Sequence, residues 1–394
     1  MAIRTVTDAI RYVGVDDNTL ALFENQYPVQ PMGVSYNSYV ILDEKIAVMD
    51  SVDARAAEEW LSSVAQVLEG RSPDYLVVTH MEPDHSGSLM RLAQKYPEMK
   101  IVGNAKTFTM IKQFFGTGAL TEDRMLEVGE GDTLSLGTHR LRFLLAPMVH
   151  WPEVMTAYEE TEKILFSADA FGRFGALERT ARAPWAPQAR RYYYNIVGKY
   201  GPQVQMALKK ALALDIKMIC PLHGPIWREN IAWFVDKYNK WSTYTPEDNT
   251  VLIAYASIYG GTENAANILA SELAKKGIKN IAMTDVSVTH PSYIISEAFR
   301  CSHIVFAAPT YNAGIFTPME TLLLDLVAHN LQNRTVAFIE NGSWAPISAK
   351  LMGDIVAKMK NMTVLASKAT LKSTVKDAQR EELKTLASEI AETL

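Results

Sequence analysis

The sequence predicts an α/β protein of two domains: a mixed-sheet α/β sandwich over residues 1–245, then a doubly wound sheet of five parallel strands over residues 250–394. Three observations predict it. The polar stretch Tyr244-Thr-Pro-Glu-Asp-Asn-Thr250 stands between two apolar regions and has the composition of a domain linker. After it, short apolar runs alternate with stretches of helical length. Before it, strand-like runs dominate, and several release a histidine or an acid where they end. The 394 residues suit two or three cores at roughly 150 residues each.

Composition removes several classes of function. Hydrophobic residues make up 48% and charged residues 21%, a globular balance that argues against disorder or coiled coil. Lys+Arg 39 against Asp+Glu 44 gives −5, which offers no basic footprint for nucleic acid. No apolar run approaches the ~20 residues of a membrane span, and the polar N-terminal stretch lacks a signal-peptide core, so a cytoplasmic protein without membrane contact is expected. Cys220 and Cys301 are too few for a disulfide framework or a cysteine-held cluster.

In the first half, strand-like runs fall at 38–42, 46–49, 75–79, 99–102, 141–146, 163–167 and 216–220, with a helix near 226–241. Hairpin-like spacing early and β–α alternation later suit a mixed sheet. In the second half, runs at 251–256, 280–285, 303–308, 334–340 and 362–366 alternate with helices near 263–276, 292–300, 317–330, 346–360 and 376–392. Apolar strands in that alternation indicate a parallel sheet covered on both faces.

The segment Tyr75-Leu-Val-Val-Thr-His-Met-Glu-Pro-Asp-His-Ser-Gly87 is an apolar strand that ends and releases His80, Glu82, Asp84 and His85, with Pro83 stopping the ladder. Alternation in extended chain places His80, Glu82 and Asp84 on one side and requires the loop to turn His85 inward. The same arrangement recurs. His150 follows the run 141–146, Asp169 follows 163–167 and His223 follows 216–220. Open α/β sheets place their sites at this edge. Four imidazoles and three carboxylates are the number needed for two metal ions with a bridging aspartate. Imidazole plus carboxylate without thiolate suits iron, manganese or zinc. A zinc hydrolase of the metallo-β-lactamase type carries a second imidazole at the place of Glu82. The harder anionic donor favours an ion that cycles between +2 and +3, so iron fits better than zinc.

In the second half, Ala256-Ser-Ile-Tyr-Gly-Gly-Thr-Glu-Asn264 joins a strand to a helix with small and hydroxylated residues suited to phosphate. Candidate contacts are Ser257, Tyr259, Gly260, Gly261, Thr262 and Glu263. The loop lacks a Walker lysine and the G-x-G-x-x-G spacing, which disfavours a nucleotide triphosphatase and a dinucleotide fold. Two further strand ends bring an aromatic and backbone groups to the same edge: Pro309, Thr310, Tyr311, Asn312 and Gly314, and then Asn341, Gly342, Ser343 and Trp344. A planar isoalloxazine needs such a stacking wall with amides along its polar rim. The three loops resemble the phosphate and ring loops of flavodoxins, and that resemblance implies FMN.

Taken together, these residues resemble the flavodiiron proteins, or A-type flavoproteins, over essentially the whole chain. The family pattern His-x-Glu-x-Asp-His, later His, bridging Asp and last His is matched by His80, Glu82, Asp84, His85, His150, Asp169 and His223. Further resemblance lies in Gly33-Val-Ser-Tyr-Asn-Ser-Tyr39, Phe166-Ser-Ala-Asp-Ala-Phe-Gly172 and Tyr192-Tyr-Tyr-Asn-Ile196. The resemblance implies a metallo-β-lactamase-like αββα sandwich followed by a flavodoxin-like domain. It implies one iron held by His80, Glu82 and His150, another by Asp84, His85 and His223, and Asp169 between them. Many relatives have Gly-Ser-Tyr/Phe-Gly-Trp where this chain has Gly-Ser-Trp-Ala-Pro.

The implied activity is reduction of dioxygen to water, of nitric oxide to nitrous oxide, or both. Two ferrous ions and reduced FMN carry the four electrons that dioxygen needs, and two electrons couple two nitric oxide molecules. Tyr193 and Trp151 are candidate catalytic neighbours, as proton donor or outer wall. The resemblance further implies a head-to-tail homodimer or a dimer of such dimers. Because the sequence ends after the fifth βα unit, an external electron donor is expected, by resemblance rubredoxin or in some relatives a reduced deazaflavin. One rival reading is a dizinc hydrolase with an accessory flavodoxin domain, which Glu82 and the flavin loops disfavour. Another is an electron carrier with a degenerate metal site, which the full ligand set disfavours. His139, His290, His303 and His329 are expected to be structural, and both thiols to lie in cores.

Overall fold

The computed structural model describes residues 3–180 and 184–394. Two compact units emerge: Met1–Tyr193 with Pro202–Asn239, and Tyr194–Gly201 with Lys240–Leu394.

The first unit is built on two facing sheets. The first sheet runs, in order of hydrogen-bonded neighbours, Arg4–Thr5, Ile10–Tyr12, Tyr39–Ile41, Ala47–Met49, Tyr75–Val77, Lys100–Gly103 and Met125–Glu127. The second runs Thr133–Ser135, Arg140–Leu145, Met155–Glu159, Ile164–Phe166 and Met218–Cys220. Tyr39, Met49, Val77 and Val102 of the first sheet share one buried core with Leu141, Phe143, Ala157 and Phe166 of the second. The strands Tyr39–Ile41, Ala47–Met49 and Tyr75–Val77 are buried throughout, so their outer face is covered as well. Helix Ala57–Leu68 buries Ala57, Trp60, Leu61, Val64 and Leu68, the stripe of an amphipathic helix, and its Trp60 Nε1 donates to Ser38 Oγ at 3.0 Å. Lys210 Nζ of helix Gly201–Ala211 donates to Leu145 O at 2.8 Å, tying that helix to the second sheet. The result is an αββα sandwich.

Among the described residues, five strands of these two sheets go beyond the expected runs: Arg4–Thr5, Ile10–Tyr12, Met125–Glu127, Thr133–Ser135 and Met155–Glu159. Four of them span only two or three residues, too few to show a period. Met155–Glu159 is the return arm of a hairpin, antiparallel to Arg140–Leu145, and His150 lies in the connection between them.

In the second unit the parallel strands follow the order Ile281–Asp285, Asp248–Tyr255, Cys301–Tyr311, Thr335–Asn341 and Thr363–Leu371, the doubly wound sheet that the alternation predicts. Val251 and Ile253 face helices Gly261–Lys275 and Asp377–Thr393, whose Leu269, Leu273, Leu383 and Leu386 complete that core. Helices Pro291–Arg300, Thr317–Ala328 and Ser348–Val356 cover the other side. The topology reverses at the strand Asp248–Tyr255, so a crevice opens at its C-terminal end. Both cysteines are buried and unbridged. Among the described residues, no helix is long and apolar enough to cross a membrane.

Candidate metal centre and flavin cleft

Both sheets of the first unit deliver side chains to one place. His80, Glu82, Asp84 and His85 follow the strand Tyr75–Val77, while Asp169 and His223 follow Ile164–Phe166 and Met218–Cys220. The chain is extended only as far as Glu82. Pro83 then starts a single helical turn, Pro83–Ser86, where its fixed φ and missing N–H are tolerated. That turn swings Asp84 away from the pairing expected from strand alternation and sets it with His85 and His223. One group holds ligand atoms of His80, Glu82, His150 and Asp169, and another those of Asp84, His85 and His223, each within 4.8 Å of one another. All seven residues are buried.

Asp169 faces both groups. Its Oδ2 lies 3.2 Å from His150 Nε2 and 3.4 Å from His80 Nε2, while its Oδ1 lies 3.3 Å from His85 Nε2 and 3.8 Å from His223 Nε2. Glu82 Oε2 completes the first group at 3.2 Å from His80 and 3.1 Å from His150. Asp84 Oδ2 completes the second at 3.2 Å from both His85 and His223.

The far side of each loop is held by partners that local pattern did not reveal. Glu153 Oε1 accepts from His80 Nδ1 and from the Met81 N–H, each at 2.8 Å. His223 Nδ1 meets Ser35 O at 2.7 Å, which leaves Nε2 for the centre. Buried Asp50 accepts from Thr79 N–H at 2.7 Å and Thr79 Oγ1 at 2.6 Å, fixing the strand exit. Ser51 Oγ donates to His85 O at 2.6 Å. Gly172 lets the Asp169 loop pass His223: a Cβ there would stand 2.9 Å from Asp169 O and 3.3 Å from His223 Cβ.

The electrostatics suit a cation. Burial opposes ionisation of Asp169 and Glu82, yet the neighbouring imidazoles outweigh it and hold both carboxyls below their ordinary range. Burial likewise works against charge on His80 and His150, but Asp169 raises both, and His150 is pushed up to about 9. Both Asp84 oxygens and Asp169 Oδ1 are buried without a hydrogen-bond partner. Buried carboxylates are ordinarily satisfied. Converging imidazole nitrogens and unsatisfied carboxylate oxygens, without thiolate, form two donor groups of the kind that suits iron, manganese or zinc.

Around this set, Trp151 meets His80 edge-on at 5.4 Å and stacks on Phe114 at 6.4 Å, an outer wall. Tyr193 packs on Tyr238 at 5.1 Å. The ring beside the centre belongs to its neighbour Tyr192, 5.5 Å from His223, whose buried hydroxyl has no hydrogen-bond partner. Burial and the nearby Asp169 and Glu82 charges raise the Tyr192 pKa, so it keeps its proton. An open cleft of ≈ 360 Å³ reaches Glu82 and Asp84 past Phe23, Glu24 and Arg55. Glu24 is exposed as a residue, but its carboxyl reaches in against Glu82; desolvation and the Glu82 charge push it up to about 8.

In the second unit, a cleft of ≈ 500 Å³ lies at the C-terminal ends of the strands. It is lined by Ser257, Tyr259, Gly261 and Thr262, by Pro309, Thr310, Tyr311 and Asn312, and by Asn341, Gly342, Ser343 and Trp344. Gly260, Glu263 and Gly314 stand beside lining residues: Gly260 caps helix Gly261–Lys275 at φ +83°, and Gly314 closes a hairpin onto Tyr311. A fourth loop also takes part. Ser373 N–H donates to Asn341 Oδ1 at 3.0 Å and Ser373 Oγ meets Ser343 Oγ at 2.7 Å. Thr310 Oγ1 accepts from the N–H groups of Ile347 and Ser348, which locks the second loop to the third. Tyr259 is 98% exposed and Trp344 91%. Two bare aromatic rings over a cleft of this size, beside a helix N-terminus, fit a planar ring with a phosphate tail.

Residues 34–224 match the family model described as ODP family beta lactamase. The rubredoxin-oxygen oxidoreductase of Megalodesulfovibrio gigas is 30% identical across 99% of this chain and 97% of its own. A flavo-diiron protein of Clostridium acetobutylicum is 30% identical across 91% and 90%, and a nitric oxide reductase of Moorella thermoacetica 28% across 88% of this chain and 88% of its own. The solved rubredoxin oxygen:oxidoreductase from Desulfovibrio gigas matches 100% of this chain and 98% of that one, at 29% identity and a TM-score of 0.92.

Proposed function

The chain belongs to the flavodiiron protein family, and we propose that it reduces dioxygen to water, nitric oxide to nitrous oxide, or both, at the centre formed by His80, Glu82, Asp84, His85, His150, Asp169 and His223. The observation that carries this reading is Asp169, whose two oxygens face two separate ligand groups. When bound, a diiron pair and FMN supply electron transfer to the gas.

The chain's own residues do the rest. Glu153 and Ser35 orient His80 and His223 so that the Nε2 atoms face inward. His85 takes part as well, since its Nε2 points at Asp84 and Asp169. Tyr192, rather than its neighbour Tyr193, offers a protonated hydroxyl at the centre, while Trp151 excludes water from the His80 side. Glu24 stands beside Glu82 with its carboxyl pKa raised by desolvation and by the Glu82 charge, in a place where a reduction that consumes protons draws them. In the second unit, the N–H groups at the start of helix Gly261–Lys275 and the hydroxyls of Ser257 and Thr262 take the FMN phosphate, and Tyr311 and Trp344 wall the ring. The protein is proposed to work in the cytoplasm as a head-to-tail homodimer, or as a dimer of such dimers, that draws electrons from rubredoxin or another external donor.

Metal and flavin analysis of anaerobically purified protein, followed by gas consumption with reduced rubredoxin, tests this reading. About two irons and one FMN per chain with turnover of either gas are expected. Full zinc occupancy without flavin would instead favour a hydrolase.

A further inference from the structure

Behind the loops that carry His150 and Asp169, the second sheet and helix Gly201–Ala211 line a partly open apolar cavity of ≈ 40 Å³. Leu144, Val149 and Leu165 wall it on one side. Val204, Ala207, Leu208 and Ala211 wall it on the other, at the three- and four-residue spacing of a single helical face. The polar groups on the wall are engaged elsewhere. Ser167 Oγ donates to Ala170 O at 2.8 Å, Thr156 Oγ1 to Leu144 O at 3.5 Å and Lys210 Nζ to Leu145 O at 2.8 Å. The Tyr238 hydroxyl accepts from the Phe171 N–H at 2.6 Å. A single water needs about 10–15 Å³ and two to four polar partners. The space is large enough and offers too few partners, the condition under which cavities stay dry and take apolar guests.

Position gives the cavity a use. Val149 immediately precedes His150 and Ala170 immediately follows Asp169, so two ligand loops form part of its wall. Leu165, Phe171, Leu208 and Ala211 also line a surface groove of ≈ 970 Å³, whose Leu212 is 68% exposed, so the cavity and the groove share an apolar wall. The cavity shares no lining residue with the polar cleft at Glu82 and Asp84.

We propose that this cavity binds a small apolar gas, dioxygen or nitric oxide, and holds it against the back of the His150 and Asp169 loops. Such molecules leave water for an apolar space readily, so the cavity raises their local concentration beside the ligands. The proposal rests on the gas-reducing function above and adds the place where substrate waits.

Xenon probes a dry apolar cavity without metal or turnover. In crystals of the iron- and FMN-loaded protein pressurised with xenon, an atom is expected among Leu144, Leu165 and Leu208. It is expected to be lost in Ala207→Phe and in Ala211→Leu, two independent variants that fill the space from the helix. Both are also expected to raise the KM for gas while kcat at saturating gas and iron content stay at parent values. No xenon in the parent cavity overturns the proposal, and so does a variant that excludes xenon yet keeps the parent KM. A loaded protein that takes up xenon here but consumes neither gas overturns the functional reading and leaves the cavity's affinity for apolar gas established.

Discussion

Glu153 Oε1 stands 2.8 Å from Nδ1 of His80, across the ring from the nitrogen that faces Glu82 and Asp169. The carboxylate fixes the proton on Nδ1 and makes Nε2 a better donor to a metal. Partners of this kind are worth about 10–100-fold in metal affinity. Glu153→Gln removes the charge and keeps the shape, so iron is expected to be lost to a chelator that the parent resists, with the circular dichroism spectrum unchanged. Parent-like iron retention would show that the pair only fills space.

The pH dependence of metal loading follows from the same set. Burial would lower the His150 pKa from 6.5, but hydrogen bonds to Asp169 and Glu82 push it up to about 9. His80 is raised in the same sense, chiefly by the Asp169 charge against its burial. A folded-state pKa above the unfolded one contributes stability that is complete below about pH 6.5 and fades as pH rises through about 9. The metal-free protein is therefore expected to lose Tm across that window. Metal must displace those protons, so its affinity climbs over the same range. Thermal melts with and without ferrous iron, recorded anaerobically, should show a metal-induced gain in Tm that widens from pH 6.5 to 9. A gain that narrows would contradict the assignment.

Asp169 is the residue that faces both groups, each of its oxygens turned to a different one. Asp169→Ala is expected to lose iron and gas reduction while FMN content remains that of the parent. Metal analysis and the flavin absorption spectrum read the two separately. Retained gas reduction with two irons would remove the bridge.

In the candidate flavin cleft, Trp344 is 91% and Tyr311 47% exposed, so each has a face to offer a ring. Aromatic pairing is worth about 0.5–1.5 kcal/mol beyond buried area, and 1.4 kcal/mol is about tenfold in affinity. Trp344→Ala is expected to weaken FMN binding by up to about tenfold, with iron content unaltered. Fluorescence titration of flavin-free protein measures this, and an unchanged Kd would place the ring elsewhere.

The seven candidate ligands are legible in the sequence because each leaves an apolar run within a few residues, and sheet edges gather such residues. The doubly wound half is legible for a related reason: buried parallel strands such as Val251–Ala254 are continuously apolar. What holds the ligands is not legible. Glu153 lies 73 residues from His80, and Ser35 lies 188 residues from His223, so no local period links them. Tyr192 takes the place at His223 because its ring projects there while that of Tyr193 meets Tyr238, a difference of one position on a helical turn. The turn at Pro83 did leave a signal, since proline favours the first position of a helix and two ionisable residues follow it.

Gly172 is a position where close approach alone demands glycine. A Cβ there would lie 2.9 Å from Asp169 O and 3.3 Å from His223 O, and both are backbone atoms that cannot rotate away. Relief requires the Asp169 loop to retreat from His223, which separates Asp169 Oδ1 from the second ligand group. Overpacking of this kind costs about 1–3 kcal/mol. Gly172→Ala is therefore expected to lower Tm and to lose iron from the centre while binding FMN normally. Gly118→Ala, where no atom stands within 4 Å, is the control and should leave both Tm and iron unchanged. If Gly172→Ala kept its full iron complement, the spacing between the Asp169 and His223 loops would not be what positions the bridge.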